Sequence, residues 1–325
     1  MGSEARKRAR ERLKEQRAKE KKAAARRKNL IVIGVAAAVI VLIVGIGYAV
    51  LNSDRDEGYT GPLATQTLQE DGSVVMANEG VEAPVVEIYA DYQCPACRQF
   101  ELTNGSLLKE RAAQGEAIVH FRPVSIFAQQ QVPISSNSLR GGAAARIAAD
   151  HGVFVEYNDL LFENQPTEGR EGFSTDQLEQ WFAELETSPE QQQEFGARLE
   201  EEAAVVTEFT EEFLPALTED AVREIGQETL GTMVLSDLLA WGADNGHDPA
   251  FLDGTYTGEL IDATGSAYTR YSGDNAFRGT PSVYLNGVLL DNNTAMTVRG
   301  LSEAIASADP GKVETQPLDN GGDAQ

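Results

Sequence analysis

The longest apolar run is LIVIGVAAAVIVLIVGIGYAVL, Leu30 to Leu51, 22 residues without a charge. At about 1.5 Å of rise per residue, a helix of that length crosses a hydrocarbon core of about 30 Å, which predicts one transmembrane helix. The next stretch, residues 52–80, is polar and rich in Gly, Asp and Thr, and reads as a linker. APVVEIYAD then gives a short, nearly continuous apolar run, the pattern of an interior strand. CRQFELTNGSLLKERAA places Phe100, Leu107 and Leu108 on one helical face, with Asn104-Gly105 as an expected kink or interruption. AIVHFRPVSIF, residues 117–127, predicts a second strand, and strand, helix and strand in this order predict a right-handed βαβ crossover.

From about Ser135 to Tyr271 apolar residues recur at spacings of three and four, predicting a helical block. The strand pattern returns in TPSVYLNGVLLD, where Asn286-Gly287 predicts a two-residue hairpin turn. TVRGLSEAIAS predicts a closing helix, and the segment after Ala308 lacks an apolar face and is expected to be disordered. The predicted class is α/β. One domain, in two parts at 81–134 and 272–307, is interrupted by an inserted helical domain at 135–271, with a basic tail at 1–29, a membrane helix at 30–51, a linker at 52–80 and an acidic tail at 308–325.

Charge orients this arrangement. The first 28 residues carry 13 Lys/Arg and 4 Glu, whereas the rest of the chain carries 14 basic and 47 acidic side chains. Arg26, Arg27 and Lys28 abut the apolar run, so the positive-inside rule puts the short tail in the cytoplasm and the remainder outside the membrane. The run exceeds the usual apolar core of a cleaved signal peptide and no clear A-x-A site follows, which favours an uncleaved signal-anchor. Beside a membrane span, the basic tail reads as a topology signal that touches anionic headgroups. The acidity of the remainder argues against a nucleic-acid partner. Residues 186–228 hold thirteen acidic and two basic side chains, the composition of a solvated helical face.

Only two cysteines occur, Cys94 and Cys97, in ADYQCPACRQF. A disulfide closing so short a loop gives close to the least stabilisation a crosslink can supply. Structural zinc needs four ligands, and His120, His151 and His247 lie far apart, so no metal and no cofactor is expected. Redox chemistry fits better. Pro95 suits the first turn of a helix, placing Cys94 at the N-cap, where unpaired backbone N–H groups and the helix dipole stabilise a thiolate. Cys94 is then the exposed nucleophile and Cys97, one turn inside, the buried resolving thiol, with Pro95 and Ala96 as the loop between them. An extracytoplasmic location is also where disulfides form and persist.

APVVEIYADYQCPACRQFE, GEAIVHFRPVSIF and FRGTPSVYLNG together resemble the DsbA-like branch of the thioredoxin superfamily, over roughly Val81 to Ser307. The resemblance implies a thioredoxin-like fold. It also implies that Pro281 is a cis-proline beside the cysteines and that Thr280 offers backbone groups to an extended client peptide. Two positions depart from the family. Ala96 stands where DsbA has a histidine, and Ile88 stands where the family often has a buried acid, while Glu87 is expected on the opposite face of the strand. Asp91 is the remaining candidate for proton transfer, against a plain reading as a polar strand end.

The leading expectation is a membrane-anchored thiol–disulfide oxidoreductase that introduces disulfides into exported client polypeptides and, by the resemblance, is reoxidised by a membrane quinone-linked partner. A reductase or isomerase using the same cysteines is the first alternative, because direction follows relative reduction potential. A client-binding module of the same fold is the second.

Overall fold

The structure is a computed structural model, and it describes residues 58–315. The expected membrane helix and basic tail, and residues 316–325, lie outside the described residues. Among those described, no helix is long and apolar enough to cross a membrane.

Six strands form one sheet in the order β1-β2-β4-β3-β5-β6. They are β1 (Gln66–Leu68), β2 (Val74–Met76), β3 (Val85–Ala90), β4 (Ile118–Pro123), β5 (Ser282–Leu285) and β6 (Val288–Leu289). Only β3 and β4 run parallel, joined by helix α1 (Pro95–Ala113); the other neighbours are antiparallel. This mixed α/β sheet with its crossover helix is a thioredoxin-like fold. α1 runs unbroken through Asn104-Gly105, where an interruption was expected. Asn104 is buried and its amide donates to the carbonyls of Phe100 and Ala295, so tertiary contacts hold the helix there.

β3 follows the alternation of an interior strand. Val86 and Ile88 enter the main core with Phe100, Val119 and Val283. Glu87 and Tyr89 point the other way, where Glu87 meets Arg122 Nε at 2.7 Å and accepts from the Tyr271 hydroxyl at 2.8 Å. The Asn286-Gly287 turn has positive φ at both residues (49° and 80°), the geometry that makes this pair suit a two-residue hairpin.

The helical block between β4 and β5 contains α2 (Ile134–Asp150), α3 (Phe154–Glu163), α4 (Thr175–Ala183), α5 (Pro189–Thr207), α6 (Leu214–Ile225), the short α7 (Gln227–Leu230), α8 (Leu235–Asp244) and α9 (Tyr256–Arg270). A π-helical turn, Glu208–Phe213, joins α5 to α6. α2 to α5 share the core of the sheet through Ala144, Ile147, Phe154, Phe182 and Leu199. A second core, with Phe209, Leu217, Leu238 and Ile261, lies farther along the block. Short α10 (Asn292–Ala295) and α11 (Val298–Ser307) close the described chain.

Two further segments differ from the sequence-based expectation. Within the supposed linker, β1 and β2 extend the sheet: Val74, Val75 and Met76 are buried and pair with Phe121, His120 and Val119 of β4. So short a run carries no periodicity of its own, and its partner strand makes it a strand. The tail expected to be disordered is docked as far as it is described: Gly311 N–H donates to the Ala83 carbonyl at 3.0 Å, and the Asn286 amide donates to the Asp309 carbonyl at 2.7 Å.

Candidate active site

The two cysteines sit where β3 gives way to α1. Pro95 takes the first helical position and Cys94 is the N-cap, with extended backbone angles and no side-chain cap. Its own carbonyl accepts the N–H groups of Cys97 and Arg98, which starts the helix. The Thr280–Pro281 peptide bond is cis, and the Cys94 thiol donates to the Thr280 carbonyl at 3.3 Å. Cys94, Cys97, Pro95, Ala96, Thr280, Pro281 and Asp91 therefore come together at one end of the sheet. Pro95 and Ala96 are exposed. Cys94, expected to be exposed, is only 5 % accessible and Cys97 1 %; both belong to the main core, and the Thr280 carbonyl lies against Cys94.

The two thiols are made unequal by their surroundings. A hydrogen bond from the Cys97 thiol, outweighing desolvation, and contributions from the Thr280 side chain and the backbone N–H groups of Cys97 and Ala96 lower the Cys94 thiol to about 6. Burial, with the adjacent Cys94, pushes the Cys97 thiol well above its ordinary value. The surroundings thus favour the thiolate at Cys94, whose protonated form is the one that donates to Thr280, and the thiol at Cys97.

Asp91 is fully buried directly before this turn. Its carboxylate accepts from the Gln93 N–H at 2.8 Å, from the Phe127 N–H at 3.2 Å and from the Ser138 hydroxyl at 2.8 Å and 2.9 Å, and its own carbonyl accepts the Cys94 N–H at 3.0 Å. Burial and, to a smaller extent, the charge of Cys94 push the carboxyl up to about 7 against these hydrogen bonds.

Sequence reasoning passed over two further groups. Glu101, four residues after Cys97, is buried on the same face of α1; burial and the neighbouring Asp159 push it up to about 7. The spacing of four was the signal available for it. Gln165, in the loop after α3, donates its amide to the carbonyls of Tyr92 at 2.8 Å and Cys94 at 3.0 Å. No local pattern marks Gln165, because its partners lie some 70 residues away.

Among the described residues, no group of three or more His, Cys, Asp or Glu is placed to hold a metal ion. His120 is buried, bonds to Ser73 Oγ through Nε2 at 2.7 Å, and is held down to about 3 by burial and the nearby Arg122, so it stays neutral. The chemistry this arrangement can do is thiol–disulfide exchange. Fold and paired thiols define a class, the thioredoxin-like thiol–disulfide oxidoreductases.

Residues 74–222 match the family model described as thioredoxin. No curated protein matches the chain. Among solved structures, the chain is similar to the MdbA protein, a thiol-disulfide oxidoreductase from Corynebacterium diphtheriae, at 15 % identity and a TM-score of 0.44 over 78 % of this chain and 99 % of that one. It is also similar to MdbA from Actinomyces oris, at 16 % identity and a TM-score of 0.45 over 80 % and 95 % of the two chains. DsbA from Mycobacterium tuberculosis matches at 16 % identity and a TM-score of 0.38 over 76 % and 99 %.

Proposed function

We propose that this protein is a membrane-anchored, extracytoplasmic oxidoreductase that introduces disulfides into exported client polypeptides through Cys94 and Cys97. The observation that supports this reading is the placement of the pair: Cys94 is the N-cap of α1 with its sulfur against the Thr280 carbonyl before cis-Pro281, and Cys97 is buried one turn inside, surroundings that lower the first thiol and raise the second. In the oxidised enzyme a client thiolate attacks Cys94 Sγ; the intramolecular S–S bond breaks and Cys97 leaves with the electron pair and takes up a proton. A second client thiolate attacks the client sulfur of this mixed disulfide, and Cys94 leaves as a thiolate. Two electrons pass from client to enzyme. A leaving thiolate already stable at neutral pH favours this direction over reduction.

Asp91 is the group proposed to exchange the proton of the resolving step, since its carboxyl is pushed into the neutral range next to the pair. The carbonyl and N–H of Thr280, beside Pro281, are proposed to hold the client strand, as in strand addition to an exposed backbone. Reoxidation calls for an electron acceptor, proposed to be a membrane quinone-linked partner. The anchor is proposed to be the apolar run 30–51, flanked by Arg26, Arg27 and Lys28. Resistance of the full-length chain to extraction from membranes at alkaline pH tests it; release would remove the anchor.

The central test equilibrates the full-length chain in glutathione buffers and traps free thiols. A potential well above the roughly −270 mV of thioredoxin is expected. A value at or below it would replace the oxidase with a reductase, and failure of the cysteines to cycle would remove both. Cys97→Ala is expected to accumulate mixed disulfides with clients in cells, and their absence would favour a binding module.

A further inference from the structure

The turn that carries Cys94 is gripped from the helical block by side chains on both partners. From the block, Gln165 spends both hydrogens of its amide on this turn, one on the Tyr92 carbonyl at 2.8 Å and one on the Cys94 carbonyl at 3.0 Å. From the turn, buried Gln93 donates back to the Pro166 carbonyl at 3.1 Å, and Arg98 donates to the carbonyls of Phe162 at 2.9 Å and Glu163 at 3.3 Å. The Tyr92 and Phe162 rings pack with centroids 4.8 Å apart. Residues 92–98 and 162–166 are thereby locked together in both directions.

We infer that Gln165 is a positioning residue for the redox pair, setting from the helical block the geometry of the turn that stabilises the Cys94 thiolate. The inference rests on the reading of Cys94 and Cys97 as the exchanging pair. Its physical basis is twofold. Two carbonyl oxygens beside the nucleophile carry partial negative charge, and an amide donor on each draws that charge away from the sulfur. The same two bonds fix the backbone angles of residues 92–94, and so the aim of the Ala96 and Cys97 N–H groups that reach the sulfur. A purely structural tie would stabilise the fold without touching the chemistry. This one joins the helical block to the carbonyl of the reacting residue itself, so the thioredoxin-like part does not set its redox behaviour alone.

The test uses the full-length chain, reduced, with Cys94 titrated by thiolate absorbance and the enzyme–glutathione equilibrium constant measured at pH 7. Gln165→Ala is expected to raise the Cys94 titration by about one pH unit and to make the enzyme about five-fold less oxidising, because thiolate stabilisation at pH 7 falls by that ratio. Gln165→Glu, which sets a carboxylate against the same two carbonyls, should move both readings further in the same direction. Asn164→Ala is the control, since its amide donates only to the Leu160 carbonyl of its own helix; it should move neither. Gln165 variants that lower the melting temperature yet titrate as the wild type does would overturn the inference. The titration needs no turnover, so it judges Gln165 even in a protein whose cysteines fail to cycle, an outcome that would count against the exchange reading instead.

Discussion

If Cys94 is the thiolate at the helix cap, the stability of the reduced protein must depend on pH through that one sulfur, and replacing it with serine should remove the dependence. The folded thiol titrates at about 6 against an ordinary value of 9.0. A depressed acid contributes stability that is complete above the unfolded value and is lost as pH falls through the folded one. Linkage over that window gives about 1 kcal/mol at pH 7, about 3 kcal/mol at pH 8 and almost nothing at pH 5. The assay is urea unfolding of the reduced wild type and of Cys94→Ser at pH 5, 7 and 8, compared as a difference so that groups common to both proteins cancel. The wild type should gain on the variant as pH rises. A difference that stays flat from pH 5 to pH 8, or grows toward acid, would refute an ionised Cys94 and with it the physical basis for an oxidising enzyme.

Other substitutions probe the frame around the pair. Asp91→Asn should cost about 2–3 kcal/mol by urea unfolding, because the new amide sets a donor against the Phe127 N–H or the Gln93 N–H in a buried place. Glu202, buried in α5, accepts the N–H groups of Tyr256 at 2.9 Å and Thr257 at 3.0 Å and so caps α9; Glu202→Ala should lose about 3 kcal/mol, read in the same way. Gly141 lies against the active-site turn, where an added Cβ would sit 2.8 Å from Tyr92 Cβ and 3.0 Å from the Phe173 ring; Gly141→Ala should cost about 1–3 kcal/mol and lower the melting temperature. An unchanged melting temperature in that variant would show that the helix and the turn are less tightly packed than the geometry says.

Local rules were enough wherever a feature is written into neighbouring residues. Pro95 after Cys94 marks a helix start, since its fixed φ suits the first turn and its missing donor is not needed there. Asn286-Gly287 marks its hairpin because few other pairs accept positive φ twice. The alternation of Val86, Glu87 and Ile88 sends Glu87 away from the cysteines, as strand geometry requires. The cysteine pair was legible for the same reason, because both thiols belong to one helical turn.

Tertiary structure decided everything that depends on a partner distant in sequence. β2 becomes a strand only because β4 supplies its hydrogen bonds, and β1 because β2 does in turn, and the residues around Gly311 dock because the Ala83 carbonyl waits for them. Asp91 could be a plain strand end from sequence; it is a buried carboxyl poised near neutrality because Ser138 of α2 and the Phe127 N–H close around it. Cys94 is packed into the main core, and its sulfur meets the carbonyl of Thr280, 186 residues away. Gln165 gives no sign of its place until the block folds back on the turn. A chain can encode a helix cap within a few residues, but the dielectric, the charges and the donors around a thiol are set by whatever the fold brings next to it.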